Sequence, residues 1–315
     1  MITGASSGIG RAAAMAFAGR GDHVVLASRD IGSLHPVVQQ CQAIGAKSVG
    51  VPTDVRDPAA MKALADATID RFGRIDVWIN NVGVVGVFDE TPIDAHRRVV
   101  ESNLIGHMNG AHAALPHFRR QGHGTLINMI SLGGWVPAPY AAAYSASKFG
   151  LRGFSEALRA ELSFLPDVHV CEVYPTFVDT PGISHGANYT GRRIKPPPPL
   201  VSPGRVASSL VALADLPRRS VFIGAPSFPA IAAHAVAPNM LGRVLMTLMT
   251  QALERADPAQ PTSGNLFDAS RGNSIEGGFR SAGSFSLKNV IPAIAGLVGV
   301  VGFLLLARRP RRASE

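Results

Sequence analysis

The sequence predicts an α/β fold in which helices cover both faces of a parallel sheet. Apolar runs of strand length alternate with helical patterns of ten or more residues, as in successive βαβ units. A glycine-rich stretch at 3–10 stands directly before the first helical run, where such folds hold a phosphate group. With 46% apolar and 17% charged residues, the 315-residue chain can form a large core.

The predicted elements follow one another closely through the first two thirds of the chain. Strands are expected at 23–28, 48–52, 74–79, 125–130, 168–174 and 220–224. Helices are expected at 11–19, 31–44, 58–72, 94–121, 142–165 and 203–216. Only Met1 and Ile2 precede the glycine-rich stretch, so either the first strand is very short or the natural chain begins upstream of Met1. We favour the upstream start.

The glycine-rich stretch reads Thr-Gly-Ala-Ser-Ser-Gly-Ile-Gly from residue 3 to residue 10. Glycines at 4, 8 and 10 permit a tight turn and a close approach of the backbone to a ligand. The helix that follows presents free N–H groups and its positive end to a pyrophosphate. The alternative is an ordinary Gly/Ser loop, but the helical context and the later motifs favour a nucleotide site.

The end of the second strand indicates which cofactor is bound. A carboxylate there would bond the ribose 2′-hydroxyl of NAD, whereas an arginine accommodates the 2′-phosphate of NADP. This chain has Ser28 followed by Arg29, which favours NADP(H) over NAD(H). The alternative is that Arg29 is a solvated loop arginine.

Tyr144 and Lys148 are four residues apart in a predicted helix and therefore share one face. A nearby ammonium group lowers the pKa of a phenol from about 10, which suits general acid or base chemistry near neutral pH. Ser131 ends a predicted strand, and its hydroxyl can donate to a substrate carbonyl oxygen. We expect one shared site because several polar residues fall at predicted strand ends: Thr3, Arg29, Asp54, Asn80 and Ser131.

Together these motifs resemble the short-chain dehydrogenase/reductase family over roughly the first 225 residues. The matching segments are TGASSGIG at 3–10, DV at 54–55, NNVG at 80–83, Asn103, Ser131, YSASK at 144–148 and PTFVDT at 175–180. Val82 stands where the family usually has alanine. The resemblance implies a Rossmann-type doubly wound parallel sheet of about seven strands with a truncated first strand.

The resemblance also implies a catalytic tetrad and a cofactor site. Tyr144 would exchange a proton with the substrate oxygen, Lys148 would lower the pKa of Tyr144 and bond the nicotinamide ribose, and Ser131 would hold the substrate oxygen. Asn103 would support a water relay to the lysine. The implied cofactor-binding residues are Thr3, Gly4, Ser6, Ser7, Gly8, Ile9, Gly10, Arg29, Asp54, Val55, Asn80, Val82, Gly83, Tyr144, Lys148, Pro175, Thr176 and Val178. The family is commonly oligomeric through the helices of Asn103 and Tyr144, so a homo-oligomer is an expectation.

The predicted function is that of an NADP-dependent oxidoreductase acting on a carbonyl or alcohol. Two other classes of protein are alternatives. Residues 145–148 also match the SxxK pattern of penicillin-recognising hydrolases, but the accompanying S-D-N and K-T-G motifs are absent from the sequence. A non-catalytic, membrane-associated NADP-binding protein is the other alternative, and the intact tetrad speaks against it.

We divide the chain into a catalytic, NADP-binding domain at 1–226 and four C-terminal segments. An apolar helical extension at 227–256, interrupted at Pro229 and Pro238, caps the substrate pocket or lies on a bilayer. A linker rich in Gly, Ser, Pro and Asn is expected at 257–289. Residues 290–307 contain no charge and would span about 27 Å as a helix, which predicts a transmembrane segment. The alternative is a buried or oligomer-contact helix.

The basic tail at 308–315 contains four arginines and raises the question of membrane orientation. Arginines favour the cytoplasmic side, which would place the enzyme outside. The supply of NADP(H) and the lack of a signal-peptide pattern favour a catalytic domain on the cytoplasmic side, and we adopt that orientation. An apolar substrate is suggested by this anchor and by the apolar extension.

The remaining features exclude some classes of function. The net charge of +8 is concentrated partly in the tail, and no basic patch argues for nucleic acid. Cys41 and Cys171 lack metal-ligand spacing and are expected to be buried free thiols, with no metal. Residues 182–203 form the expected substrate lid, and their prolines at 196–199 predict a stiff loop or, alternatively, an SH3-type ligand.

Overall fold

The computed structural model describes residues 1–81, 91–224, 227–269 and 272–280. Within these ranges one sheet contains seven strands, and every neighbouring pair is parallel. The strands are β1 Ile2–Thr3, β2 Val24–Ser28, β3 Ser48–Pro52, β4 Val77–Asn80, β5 Gly124–Met129, β6 Val168–Pro175 and β7 Ser220–Ile223, in the spatial order β3-β2-β1-β4-β5-β6-β7. This order confirms the doubly wound parallel sheet that the sequence predicts.

Helices alternate with these strands as the sequence pattern requires. They are α1 Gly8–Gly19, α2 Ile31–Ala43, α3 Pro58–Phe72, α4 Ile93–Val100, α5 Gly106–Gln121, α6 Ala142–Glu161, α7 Gly182–His185, α8 Pro203–Asp215, α9 Ser227–Val236 and α10 Pro238–Glu254. A 3₁₀ turn at Leu132–Gly134 links β5 to α6. Helix α6, predicted at 142–165, ends four residues earlier than expected, at Glu161.

Two apolar cores lie on opposite faces of the sheet. On one face, α1, α2 and α8 bury residues such as Phe17, Leu34 and Leu210 against the strands. On the other face, α3, α5 and α6 bury residues such as Met61 and Phe118. Because both faces are covered, the central strands read as continuous apolar runs in the sequence.

The first strand consists of only two residues, yet it occupies the centre of the sheet. Ile2 pairs with Leu26 of β2 on one side and with Ile79 of β4 on the other, and it is 1% exposed. A short strand is thus sufficient to place Thr3 and the glycine-rich turn at the carboxyl edge. The expectation of an upstream start stays a prediction.

The long helix expected at 94–121 is divided by a π-helical turn at Glu101–Ile105, which joins α4 to α5. Such turns are rare and often occur at functional positions. Asn103 stands at the centre of this turn and is fully buried. The sequence pattern gave no indication of the extra residue in the turn.

The extension after β7 is helical, as expected, but only one of its two prolines separates helices. Pro229 lies in the first turn of α9, where a proline is tolerated, and Pro238 begins α10. Ala233 and Leu241 are buried with Val136 of the catalytic domain. The extension therefore packs beside the loop that follows β5.

Residues 257–269 and 272–280, expected to belong to a linker, instead fold back over the domain. Bridges join Asn188 to Thr262 and Arg192 to Pro258, and Leu266 is only 2% exposed. The composition misled the prediction because this segment is held chiefly by backbone groups, which composition does not reveal. We refer to its described residues from 263 onward, 263–269 and 272–280, as the strap.

Several predictions fall on parts of the chain that the structure does not describe. The expected transmembrane segment at 290–307, the basic tail at 308–315, and the residues Val82 and Gly83 lie outside the described ranges. Within those ranges, no helix combines the length and the apolar character that crossing a bilayer requires.

Candidate active site

The candidate site lies at the carboxyl edge of the sheet, where the strand order reverses between β1 and β4. Ligands of open α/β sheets bind at such a switch point. Thr3 ties the two strands together there, because its hydroxyl donates to the Ile79 carbonyl at 3.2 Å and accepts from the Asn81 N–H at 3.0 Å. Thr3 therefore holds the carboxyl ends of β1 and β4 together at the base of the site.

The glycine-rich turn has the geometry of a phosphate cradle. Gly4 and Gly8 have φ values of 63° and 53°, a conformation that favours glycine. A Cβ atom on Gly10 would lie 2.1 Å from the Gly4 carbonyl oxygen, so only glycine fits there. Helix α1 begins at Gly8, and the Ser7 side chain does not cap it. The turn and the helix N-terminus fit the pyrophosphate of a dinucleotide.

Arg29 follows β2 at the same edge, but it is not a solvated loop arginine. Its guanidinium donates to the carbonyl oxygens of Asn265 at 2.7 Å and Phe267 at 3.1 Å, and also to that of Asp268. All three acceptors belong to the strap. The hydrogen-bond donors of Arg29, which the sequence assigns to the cofactor 2′-phosphate, are therefore bonded to carbonyl oxygens of the protein itself.

Asp54 and Val55 follow β3 and line the same edge. The Asp54 carboxylate accepts hydrogen bonds from the backbone N–H of Arg56 at 3.0 Å and from its Nε at 2.9 Å. The Val55 side chain lies against the backbone of Gly106, where an added Cβ would come within 2.7 Å of it. Both residues thus have protein partners at the positions the resemblance assigns to cofactor contacts.

The side chain of Asn80 is directed into the protein and not toward the site. Its amide nitrogen donates to Asn128 Oδ1 at 3.1 Å and to the His107 carbonyl at 3.2 Å, and its oxygen accepts from Trp78 Nε1 at 3.0 Å. Asn80 is 1% exposed. This side chain therefore joins β4 to β5 and α5, which differs from the direct cofactor contact expected for it.

The four predicted catalytic side chains are brought together around α6. Lys148 Nζ lies 5.8 Å from the centroid of the Tyr144 ring, as their spacing predicts, and donates to the Met129 carbonyl at 2.9 Å. Tyr144 and Ser131 interact through their hydroxyl groups. Asn103 Nδ2 donates to the hydroxyl of Ser147, the neighbour of Lys148, at 3.1 Å.

The loop after β5 holds Ser131 in a backbone conformation that is rare for serine, with φ at 143°. Its hydroxyl accepts from the Gly133 N–H at 3.1 Å. A Cβ atom on Gly133 would lie 3.0 Å from Tyr144 Cε1, so this glycine lets the loop sit close to the phenol ring. Strained residues of this kind concentrate at functional sites.

The pKa of Tyr144 is shifted in the direction opposite to the one expected. Burial raises it, and the bond with Ser131 only partly offsets that effect. Burial also lowers the pKa of Lys148 to about 7. The expectation that Lys148 depresses the pKa of Tyr144 fails in this structure because desolvation disfavours both charged forms.

His107 was not singled out from the sequence. It is 1% exposed, and its pKa is lowered well below the usual value by burial and by the charge of Lys148. Within the described part of the chain, His107 Nε2 and Asn103 Oδ1 are buried without hydrogen-bond partners. Unpaired polar atoms of this kind are where buried water is found. The four-residue spacing of Asn103 and His107 in a predicted helix was the available signal.

The motif after β6 carries another unpaired polar atom. Thr176 Oγ1 is buried and has no partner in the described residues, while its N–H is bonded to the Ile223 carbonyl at 2.9 Å. Pro175 ends β6, and Val178 is bridged to Val201. The Thr176 hydroxyl faces Gly224, where an added Cβ would lie 2.1 Å from its oxygen.

No metal site accompanies these residues, because no cluster of His, Cys, Asp or Glu side chains suited to a metal ion is found in the ranges that the structure describes. Cys41 and Cys171 are buried and free.

A parallel sheet with a phosphate cradle at its switch point and a Tyr–Lys pair beside it defines the class of dinucleotide-binding α/β proteins.

Comparison with known proteins identifies the family within this class. Residues 1–186 match the family model described as short chain dehydrogenase. The chain belongs to this family, and the fold and the family anticipated from the motifs are confirmed.

Two curated relatives illustrate the similarity. The uncharacterized oxidoreductase YxnA of Bacillus subtilis is 28% identical over 321 residues, which cover 99% of this chain and 90% of that protein. The putative oxidoreductase SadH of Mycobacterium tuberculosis is 37% identical over 164 residues, which cover 51% of this chain and 59% of that protein.

Solved structures of similar proteins contain either nicotinamide cofactor. An alcohol dehydrogenase of Thermococcus sibiricus, complexed with 5-hydroxy-NADP, has a TM-score of 0.62 at 26% identity, covering 70% of this chain and 94% of that one. A short-chain dehydrogenase/reductase of Burkholderia phymatum, in complex with NAD, has a TM-score of 0.64 at 26% identity, covering 83% and 96%. A nicotinamide cofactor is therefore supported for this oxidoreductase family member.

Proposed function

We propose that this protein is an NADP(H)-dependent oxidoreductase that interconverts a carbonyl and an alcohol, with Tyr144 as general acid and base. The observation that carries the proposal is the meeting of Tyr144, Ser131 and Lys148 beside the phosphate cradle. The nicotinamide cofactor, when bound, supplies or accepts the hydride.

The protein's own residues manage the proton and the substrate oxygen. The Tyr144 hydroxyl donates a proton to the substrate oxygen in reduction and accepts it in oxidation, while Ser131 donates a hydrogen bond to the same oxygen. Lys148, whose pKa lies near 7, is able to pass a proton at neutral pH. Asn103 Oδ1 and His107 Nε2, which are buried without partners among the described residues, are the polar atoms to which a buried water near this lysine would bond.

We propose NADP(H) as the preferred cofactor because an arginine follows β2. The next residue in the sequence, Asp30, is acidic, but its side chain caps α2 by accepting from the N–H groups of Gly32 and Ser33. A guanidinium group pairs well with a phosphate, and it gains nothing from an unphosphorylated ribose.

We propose an apolar substrate from the surroundings of Tyr144. On one side Tyr144 packs with the apolar cluster of Ala95, Val99, Ala187 and Leu266. In the loop after β5, the Trp135 ring packs against Ala233 and Leu241 of the helical extension, and the Arg152 guanidinium lies over it at 3.3 Å. Apolar surfaces of this kind near the catalytic residues favour a substrate with a large apolar surface.

The substitution Tyr144→Phe tests the proposed catalysis. It removes one hydroxyl, and we expect carbonyl reduction with NADPH to fall by about 10²- to 10⁴-fold while NADPH binding is retained. The matched control is Tyr140→Phe, which removes a hydroxyl that contacts only Thr250, at 2.9 Å in the described structure. Activity that survives in Tyr144→Phe as it does in the control would refute the assignment.

We also propose that the protein is anchored in a membrane through residues 290–307, with the catalytic domain on the cytoplasmic side. The support for the anchor is the uncharged run of 18 residues. The support for the orientation is the cytoplasmic supply of NADP(H), which we place above the preference of the four tail arginines for the cytoplasmic side. Protease digestion of sealed membranes tests this: the catalytic domain should be cleaved from the cytoplasmic side. Recovery of the full chain in the soluble fraction would refute the anchor.

A further inference from the structure

The strap lies directly on the proposed cofactor site. It contacts the first turn of α1 through Ser274, the end of β2 through Asn265, and the loop after β6 through Gly277. These are the carboxyl ends of three strands that together form the dinucleotide site in this fold. The strap therefore occupies the position where a cofactor would lie.

At the phosphate cradle, the strap supplies an oxygen atom of its own. The Gly8 N–H donates to the Ser274 carbonyl at 3.0 Å. Gly8 is the first residue of α1, and the N–H groups of such a turn are the ones that bind a phosphate oxygen. A carbonyl oxygen carries only a partial negative charge, so a phosphate is the better acceptor for this donor.

At the 2′-phosphate position, the strap binds Arg29. The carbonyl oxygens of Asn265, Phe267 and Asp268 all accept from this guanidinium. Arg29 cannot direct the same N–H groups to a phosphate while these bonds persist. The strap thus uses the same donors, at both ends of the site, that the pyrophosphate and the 2′-phosphate of NADP would require.

A buried carboxylate holds the strap in place. Asp179 is 0% exposed and accepts from the N–H groups of Phe279 and Arg280, each at 3.0 Å. The Gly277 N–H donates to the Asp179 carbonyl at 3.2 Å. Leu266 packs beside Tyr144 at the other end of the strap. The strap is therefore anchored on both sides of the cofactor groove.

We propose that the strap is an intramolecular competitor of the cofactor, which must displace strap residues 265–268 from Arg29 and Ser274 from Gly8 before it binds. The proposal rests on the NADP(H) binding proposed above. It adds a regulatory step, because any event that detaches the strap increases cofactor affinity without changing the catalytic residues. A competitor that is closed most of the time raises the apparent dissociation constant by the inverse of the open fraction.

The substitution Gly277→Ala is designed to detach the strap. A Cβ atom at Gly277 would lie 2.6 Å from the Thr180 carbonyl oxygen and 2.9 Å from Asp179 Oδ1. The matched control is Gly242→Ala in α10, where a Cβ meets nothing within 4 Å. We expect Gly277→Ala to bind NADPH about tenfold more tightly than the wild type, and the control to bind like the wild type. Leu266→Ala, at the other anchor, is expected to act in the same direction.

Hydrogen exchange in the wild-type chain provides a test that does not depend on any variant. Competition predicts that saturating NADPH reduces the protection of the amides of Asn265 and Leu266, which donate to the carbonyl oxygens of His185 and Ser263 in the closed strap. A strap that closed over bound cofactor would gain protection, and that result would overturn the proposal.

The two proposals fail in different ways. Equal NADPH affinity in the wild type, Gly277→Ala and Leu266→Ala would overturn the competition and leave the cofactor assignment standing. A lack of NADPH and NADH binding in all of these chains, measured by calorimetry, would overturn the proposed function and the competition with it.

Discussion

Lys148 Nζ and the backbone carbonyl of Met129 form a hydrogen bond of 2.9 Å. This bond joins α6 to the end of β5 and leaves the lysine 3% exposed. The ammonium group is thus held inside the protein beside Tyr144 with few polar partners. Two consequences follow: the lysine loses its proton easily, and the folded state bears a cost when the lysine is charged.

The stability of the free protein is therefore expected to rise with pH through the range set by Lys148. Its pKa is about 7 in the folded state, whereas an unfolded lysine titrates near 10.4. Between these values the unfolded state binds more protons, so the free energy of unfolding increases with pH, by about 1 kcal/mol per pH unit. In denaturant unfolding between pH 7.5 and 9, the free energy of unfolding of the wild type should rise with pH more steeply than that of Lys148→Met, which lacks the titrating amine. Parallel pH profiles of these two proteins would contradict the prediction. The surface control is Lys62→Met, whose side chain is 75% exposed.

Gly110 is expected to be essential for the packing of α5 on the sheet. A Cβ atom there would lie 2.3 Å from Asn80 Oδ1 and 2.9 Å from Trp78 Nε1. Gly110→Ala should destabilise the protein by about 1–3 kcal/mol, measured by denaturant unfolding, because the buried amide network must move. Gly153→Ala in α6 is the control, since nothing lies within 4 Å of its Cβ position. It should stabilise the protein by about 0.5–1 kcal/mol.

Arg29 is expected to set the choice between the two nicotinamide cofactors. Arg29→Ala should raise the ratio of the NADPH to the NADH dissociation constant by about 10- to 100-fold, because only NADPH offers a phosphate to the guanidinium. Taking the ratio removes any effect of the strap that is common to both cofactors. Calorimetric titration measures both constants, and an unchanged ratio would show that Arg29 serves only to bind the strap.

Glu172 and Arg159 form an ion pair whose loss should be costly. The Glu172 carboxylate is 1% exposed, lies 3.1 Å from the Arg159 guanidinium, and accepts from the Ser220 hydroxyl at 2.8 Å. Arg159→Met would leave a buried charge without its partner, which costs about 3 kcal/mol in the free energy of unfolding. Arg74→Met, which removes an exposed pair with Asp76, should change stability by less than about 1 kcal/mol. Equal effects in denaturant unfolding would contradict this account.

The fold was predictable because its signals are local. The alternation of strands and helices, the glycines of the phosphate turn and the four-residue spacing of Tyr144 and Lys148 each depend on neighbouring residues. These signals gave β3 and α3 with the observed bounds. They did not reveal the π-helical turn at Asn103, because residues 101–105 contain no proline or glycine that would mark an interruption of the helix.

The sequence by itself determined the order of the elements, the family and the identity of the residues that meet at the carboxyl edge. The tertiary structure decided what those residues contact. It directed Asn80 into the interior, raised the pKa of Tyr144 where the sequence predicted a lower value, and laid the strap on Gly8 and Arg29. These outcomes depend on burial and on contacts between residues as far as 266 positions apart, which no local pattern encodes.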